Sequence, residues 1–284
     1  MVIIMHKIDL SKYDLRCDLI TDVNIKLNKK VRSISNIRIE SINLNKSDAN
    51  KINKRKGSYI SILFEDITDK DNYKKVKEIV KKEIKRLLQE KKLLGKSCLI
   101  IGLGNNLSTP DSLGPKVIDN IIATRHLFDL GSVDENYSKV SKISPGVYGI
   151  SGIETFDIVK GIVEKIKPDY IIIIDALSST SIKKVNKVVQ ITDSGIEPGS
   201  GIGNQRKELS KTTLKKDVIA IGIPTVVSLH TIVKEFLNEY DVDDLLKEKG
   251  NNYMVTPKEI DFEIEKLSLL LSSSINEVVH NMTK

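Results

Sequence analysis

The chain has 284 residues, 40% hydrophobic and 29% charged, with a formal net charge of +7. That length allows one large domain or two small ones with a substantial buried core. No apolar run approaches the ~20 residues of a membrane-spanning helix. The apolar start at residues 1–4 is too short for a secretory signal and no small-residue cleavage site follows it, so the expected location is the cytoplasm.

The excess of lysine does not by itself indicate a nucleic-acid binder. Lysines between Lys70 and Lys96 are interleaved with Asp71, Glu78, Glu83 and Glu90, the pattern of a solvated helix face. No direct contact with nucleic acid is expected, although the charge can steer an acidic partner. Cys17 and Cys98 are far apart and are read as two reduced thiols.

Residues 1–30 show no clear period and are read as a detachable segment or an irregular edge. Residues 31–40 alternate apolar and polar, predicting a strand with one solvated face; residues 41–57 read as a lysine-rich loop and 58–65 as a second strand. Val76, Ile79, Val80, Ile84, Leu87 and Leu88 recur at three-and-four spacing, which predicts an amphipathic helix over 70–93 that stops at Gly95. A strand over 97–103 follows. A polar loop then carries Asp111 to Pro115, which suits the first turn of a helix containing Val117, Ile118, Ile121 and Ile122. Residues 129–144 read as an excursion loop, with a helix around 153–166 stopped by Pro168.

Residues 170–174 are apolar on both faces, so this strand belongs in the middle of a sheet, and it runs straight into Asp175. Further strands are predicted over 185–191 and over 218–223, the latter ended by Pro224. Between them lies the glycine-rich loop 192–213. A helix over 226–238, a polar connector and a last helix to about residue 280 complete the chain, with Thr256 read as its N-cap and Pro257 in its first turn. The alternation implies an α/β three-layer sandwich with a mostly parallel or mixed central sheet.

In such sheets ligands bind beyond the carboxyl ends of the strands. Asp175 sits at one such end and Asp111 follows another. If the strands are neighbours, the two carboxylates share a crevice, where one can activate water while the other protonates a leaving group. The same pair can also hold a metal ion; alternatively Asp111 simply caps a turn or the helix, and Asp175 bonds backbone amides at the strand end. Gly102-Leu103-Gly104 lacks the third glycine of a dinucleotide fingerprint and reads as tight-turn geometry. Asp193-Ser194-Gly195 matches the pepsin-type triplet in a single copy, which reads as chance. His6, His126, His230 and His280 have no metal-ligand spacing, and no GxSxG elbow is present. The run at 199–204 reads as a mobile loop over the site.

GLGN-x4-TPD-x-LGP (102–115), TRHLF (124–128), SPGVYGISGIET (144–155), IDALS (174–178), DSGIEPGSGIGNQRKELS (193–210), AIGIPTVV (220–227) and VTPKEID (255–261) together resemble the germination protease of spore-forming bacteria. The resemblance spans about residues 8–282. It implies an aspartic-type endopeptidase that degrades small acid-soluble spore proteins in the spore core, without a cofactor. The implied fold is similar to that of hydrogenase-maturation proteases, which is phosphorylase/hydrolase-like. The family's two proposed catalytic aspartates fall on Asp111 and Asp175. The resemblance also implies a homotetramer and a self-processing zymogen, with residues 1–22 as propeptide and 23–284 as a single peptidase domain. Glu197, Gly199, Gly201 and Gly203 are expected to shape the substrate groove. Two departures stand out: Cys17 replaces a usual Thr, with the acidic–apolar cleavage sequence poorly kept, and Ser228-Leu229-His230 stands where Asp-Ala is common. Two alternatives are a metal-dependent peptidase of the hydrogenase-maturation type and a non-catalytic peptide- or DNA-binding relative.

Overall fold

A computed structural model describes residues 18–23, 27–131, 133–199, 206–237 and 253–280. Among these residues nine strands form one mixed sheet: β1 (Lys29–Ile34), β2 (Ile37–Leu44), β3 (Gly57–Leu63), β4 (Cys98–Gly102), β5 (Val140–Ile143), β6 (Tyr170–Ser179), β7 (Val188–Thr192), β8 (Asp217–Ser228) and β9 (Met254–Val255). Its order is β1-β2-β3-β7-β8-β6-β4-β5, with β9 on the end of β8. The pairs β8–β6, β6–β4 and β4–β5 are parallel. The pairs from β1 through β7 to β8, and β8 with β9, are antiparallel.

The helices in chain order are α1 (Lys46–Lys51), α2 (Lys70–Glu90), α3 (Leu113–Asp119), α4 (Arg125–Asp129), α5 (Tyr148–Ser151), α6 (Thr155–Ile166), α7 (Lys211–Leu214), α8 (Leu229–Phe236) and α9 (Ile260–Val279). The two-residue period of β6 divides the core into layers. Ile172 and Ile174 join the side chains of α2, α3 and α9 on one face, while Ile171 and Ile173 join Val159 and Val163 of α6 and Leu214 of α7 on the other. This is the three-layer α/β sandwich that the alternation of elements implies.

Local readings need correction in several places. Residues 31–40 are not one strand but two arms of a hairpin, because Ser35 takes a left-handed turn conformation (φ 54°) between β1 and β2. The expected loop over 41–57 holds the end of β2 and α1, which Asn45 caps by accepting from Asp48 N. The excursion loop yields β5, which extends the sheet beside β4. Pro224 does not end β8; it lies inside the strand, where the register against β6 shifts between Leu177 and Ser178. Thr256 is not the cap of α9, which starts at Ile260. Its hydroxyl donates instead to Thr225 O at 2.8 Å.

The glycines after β4 serve packing rather than phosphate binding. A Cβ on Gly102 would stand 2.2 Å from Gly114 O, and one on Gly114 would stand 2.1 Å from Leu103 O, so α3 seats its first turn directly on the β4 backbone. Gly102→Ala is expected to lower stability by about 1–3 kcal/mol through overpacking, while Gly149→Ala, with nothing within 4 Å of its added Cβ, changes it much less. Denaturant unfolding of the two variants checks the difference.

Candidate active site

Parallel pairing sets the site. Gly102 ends β4 opposite Ile174, and Leu103 N donates to Ile174 O at 2.8 Å, so the loop after β4 leaves the sheet beside Asp175. That loop is tightly closed. Asp111 N donates to Ser108 O (2.8 Å), Asn105 N donates to Asp111 O (3.0 Å), and Gly104 (φ 116°) passes so close to Asp111 O that a Cβ would stand 2.0 Å away. Thr225 Oγ1, from β8, donates to Pro110 O at 2.7 Å and ties the loop to the other neighbour of β6. Asp111 and Asp175 consequently line one cleft of about 710 Å³.

The floor of this cleft is built from small residues. Asp175 continues the face of Ile171 and Ile173, and its register partner on β8 is Gly222, whose partner on β7 is Gln190. Ala220 lies opposite Ile173 in the same way and faces Thr192. The Leu177 side chain lies over Gly222, where an added Cβ would meet it at 2.5 Å.

The two acids are electrostatically unequal. Asp175 is 7% exposed. Burial, then the charge of Asp111, then that of Asp18 push its carboxyl well above the usual range, against one favourable backbone hydrogen bond from Ala176. Burial lifts Asp111 to about 6, opposed by the Asn105 backbone N–H. Asp111 therefore ionises first, next to a neutral Asp175, and Asp175 titrates against the charge already formed.

Residues 18–22 pack beside the same cleft, and Asp18 lines it. Asp18 N donates to Ser178 O at 3.3 Å, and Ser178 N donates to Asp18 Oδ2 at 2.9 Å. The Asp18 carbonyl accepts from Gln190 Nε2 (3.1 Å) and Lys54 Nζ (3.4 Å). Ile20 N donates to Gln190 Oε1 at 2.7 Å. Leu19 packs with Leu177 and Val188, and Ile20 with Ile42, Leu44, Ala49 and Tyr59. Asp22 accepts from Thr180 N at 2.7 Å and pairs with Lys184.

Other sequence candidates sort by position. Glu197 and Gly199 line the cleft, with Glu197 held by Arg55 at 2.8 Å; Gly201 and Gly203 lie outside the described residues, as does Cys17. Asp193 is structural: it accepts from Ser58 N at 2.7 Å and pairs with Lys91 at 2.8 Å. Ser228 caps α8 by accepting from Thr231 N at 3.1 Å, a role that an aspartate also fills. Among the described residues no group of three or more His, Cys, Asp or Glu side chains is arranged to hold a metal ion, and no helix is long and apolar enough to cross a membrane. Sequence reasoning missed Gln190, Lys54 and Asp18 as cleft residues. A lone glutamine within the apolar run of β7 was the available signal for the first.

A family model described as germination protease matches residues 11–242. The germination protease of Bacillus cereus (strain ATCC 10987 / NRS 248) is 36% identical, covering 96% of each chain, and that of Bacillus mycoides (strain KBAB4) is 37% identical with the same coverage. Among solved structures, the [NiFe] hydrogenase maturation protease HycI from Thermococcus kodakarensis KOD1 aligns with a TM-score of 0.34 and 16% identity, over 63% of this chain and 92% of that one. With that extent of match, and two acids lining one cleft where β4 ends beside the middle of β6, this chain belongs to the germination protease family.

Proposed function

We propose that this peptidase is of the aspartic type and works through Asp111 and Asp175, on small acid-soluble spore proteins in the spore core. The observation that carries the reading is the pair of unequal acids in one cleft. In the singly protonated state Asp111 is the carboxylate and Asp175 the acid. Asp111 takes a proton from water as the water oxygen bonds to the scissile carbonyl carbon, and Asp175 gives its proton to the carbonyl oxygen. The tetrahedral adduct then collapses. Its carbonyl oxygen returns the proton to Asp175, the amide nitrogen receives the proton held by Asp111, and the C–N bond breaks. The pair ends as it began.

The chain is made as a zymogen on this reading, which the N-terminal segment supports because it brings Asp18 into the lining of the cleft, where its charge acts on Asp175. Residues 18–22 are also part of the core, so their removal exposes the side chains that Leu19 and Ile20 now cover. The tetramer rests on the family resemblance alone.

Asp111→Asn and Asp175→Asn are each expected to reduce kcat by about 10²–10⁴-fold with the fold intact by circular dichroism; unchanged cleavage of a spore protein by both refutes the assignment. The rate should fall as the pH drops through about 6, where Asp111 becomes protonated, so kcat/KM against pH has its acid limb there. Activity that survives a strong chelator argues against the metal-dependent alternative. Stability carries the opposite sign. A carboxyl whose folded-state pKa is raised loses stability as pH rises through that value. Asp111→Asn should therefore be more stable than the natural chain at pH 8 by on the order of 2 kcal/mol. The gain should vanish below about pH 4, where the carboxyl is protonated in both folded and unfolded states. Thermal unfolding at the two pH values measures it.

A further inference from the structure

Three residues form one row across the sheet: Asp175 on β6, Gly222 on β8 and Gln190 on β7 are successive register partners. Side chains of register partners share a face, and neighbouring strands lie about 4.8 Å apart. Gln190 therefore stands on the far bank of a trough, about 10 Å from Asp175 on the near bank, with the Leu177 side chain lying over Gly222 as its floor.

Gln190 is only 6% exposed, and its carboxamide uses both ends on the chain that lies there. Nε2–H donates to the Asp18 carbonyl at 3.1 Å, and Oε1 accepts from Ile20 N–H at 2.7 Å. A carbonyl at one residue and an amide N–H two residues on are the groups that an extended strand turns toward a neighbouring strand. The side chain thus imitates a strand edge and reads main chain only. The intervening residue, Leu19, is fully buried against Leu177 and Val188, with Leu63 and Ile196 beside them. The preceding residue carries its carboxylate to Ser178 N–H, three residues past Asp175.

We propose that Gln190 is a positioning residue for peptide substrates. It clamps the main chain on either side of one aliphatic side chain, which enters the Leu177–Val188 pocket, and so sets the register of the peptide against the carboxylate pair. The proposal rests on the reading of Asp111 and Asp175 as the reacting pair. It adds to that reading a residue that touches no reacting atom, and a subsite defined by shape rather than charge.

The test starts in the full-length chain. Gln190→Ala should remove the hydrogen-exchange protection of the Ile20 amide, while Asp175→Asn should keep it; full protection in Gln190→Ala overturns the clamp. The second measurement uses the chain after its own N-terminal processing, with a synthetic peptide of residues 13–25 made with and without an N-methyl group at the amide corresponding to Ile20. Methylation should raise KM about fivefold, the worth of one neutral hydrogen bond, with kcat nearly unchanged. In Gln190→Ala the two peptides should behave alike, and Gln190→Glu, which keeps the acceptor and loses the donor, should restore the discrimination. If Gln190→Ala does not fold, the two peptides on the natural enzyme still decide, because equal KM values overturn the clamp. Lost discrimination with Asp175→Asn inactive removes the clamp and leaves the pair standing. An active Asp175→Asn with discrimination retained removes the pair and leaves the clamp.

Discussion

Parallel pairing of β4 with β6 brings the loop after Gly102 to the end of a strand that is apolar on both faces until Asp175. The loop stays there because backbone meets backbone. Gly102 and Gly114 approach too closely for any side chain, Gly104 turns against Asp111 O, and Thr225 holds Pro110 from the β8 side. Asp111 is thus fixed through the backbone of its loop, with one side-chain bond from Thr225, which leaves its carboxylate nearly free of hydrogen-bond donors. A carboxylate with few donors and much burial is a poor anion, and that is the chemical state a general base near neutral pH requires.

Asp175 carries this further. It has one backbone donor, a second acid in the same cleft, and a third in Asp18. Holding three carboxyls around one cleft opposes folding, and the opposition is met by the apolar layers beneath. The side chains of β6 from Tyr170 to Ile174 are fully buried against helices on both faces. Each such side chain contributes about 1.5–3 kcal/mol when fully buried. The run of isoleucines before Asp175 is therefore the support that lets an unfavourable acid be held within β6, and sequence adjacency turns core strength into site rigidity.

Much of this was readable from order along the chain. Four isoleucines followed by an acid mark a central strand, although β6 runs on past Asp175 to Ser179 instead of ending there, and a polar loop after a second apolar run marks a neighbour. The family resemblance pointed to the same two residues. What the linear reading could not supply is whatever depends on pairing across the sheet. Gln190, Gly222 and Asp175 form a row only because β7, β8 and β6 lie side by side in that register. Nothing in the spacing of residues 175, 190 and 222 encodes it. The hairpin at Ser35 was missed for a related reason: residues 31–40 keep an alternating pattern through the turn, so only the backbone reversal separates the two arms. The glycine loop was placed over the site by composition, and its described part, Glu197 and Gly199, does line the cleft.

The N-terminal stretch shows how occupancy and folding become one quantity. Leu19 is fully buried and Ile20 is 2% exposed; each contributes about as much as an ordinary core residue. Asp22 adds a buried ion pair with Lys184 and a hydrogen bond to Thr180 N. Main-chain bonds to Gln190 and Ser178 would be met equally well by another extended peptide, whereas the Ile20 and Asp22 contacts lie beyond the trough and belong to this segment. Any substrate that displaces it must therefore match the bonds in the trough without the help of those outer anchors. An attached segment has the further advantage of high effective concentration. On the zymogen reading proposed above, a free peptide of the same sequence competes poorly while the anchors hold, and access to the carboxylate pair is governed by the Asp22–Lys184 end of the segment as much as by the cleft itself.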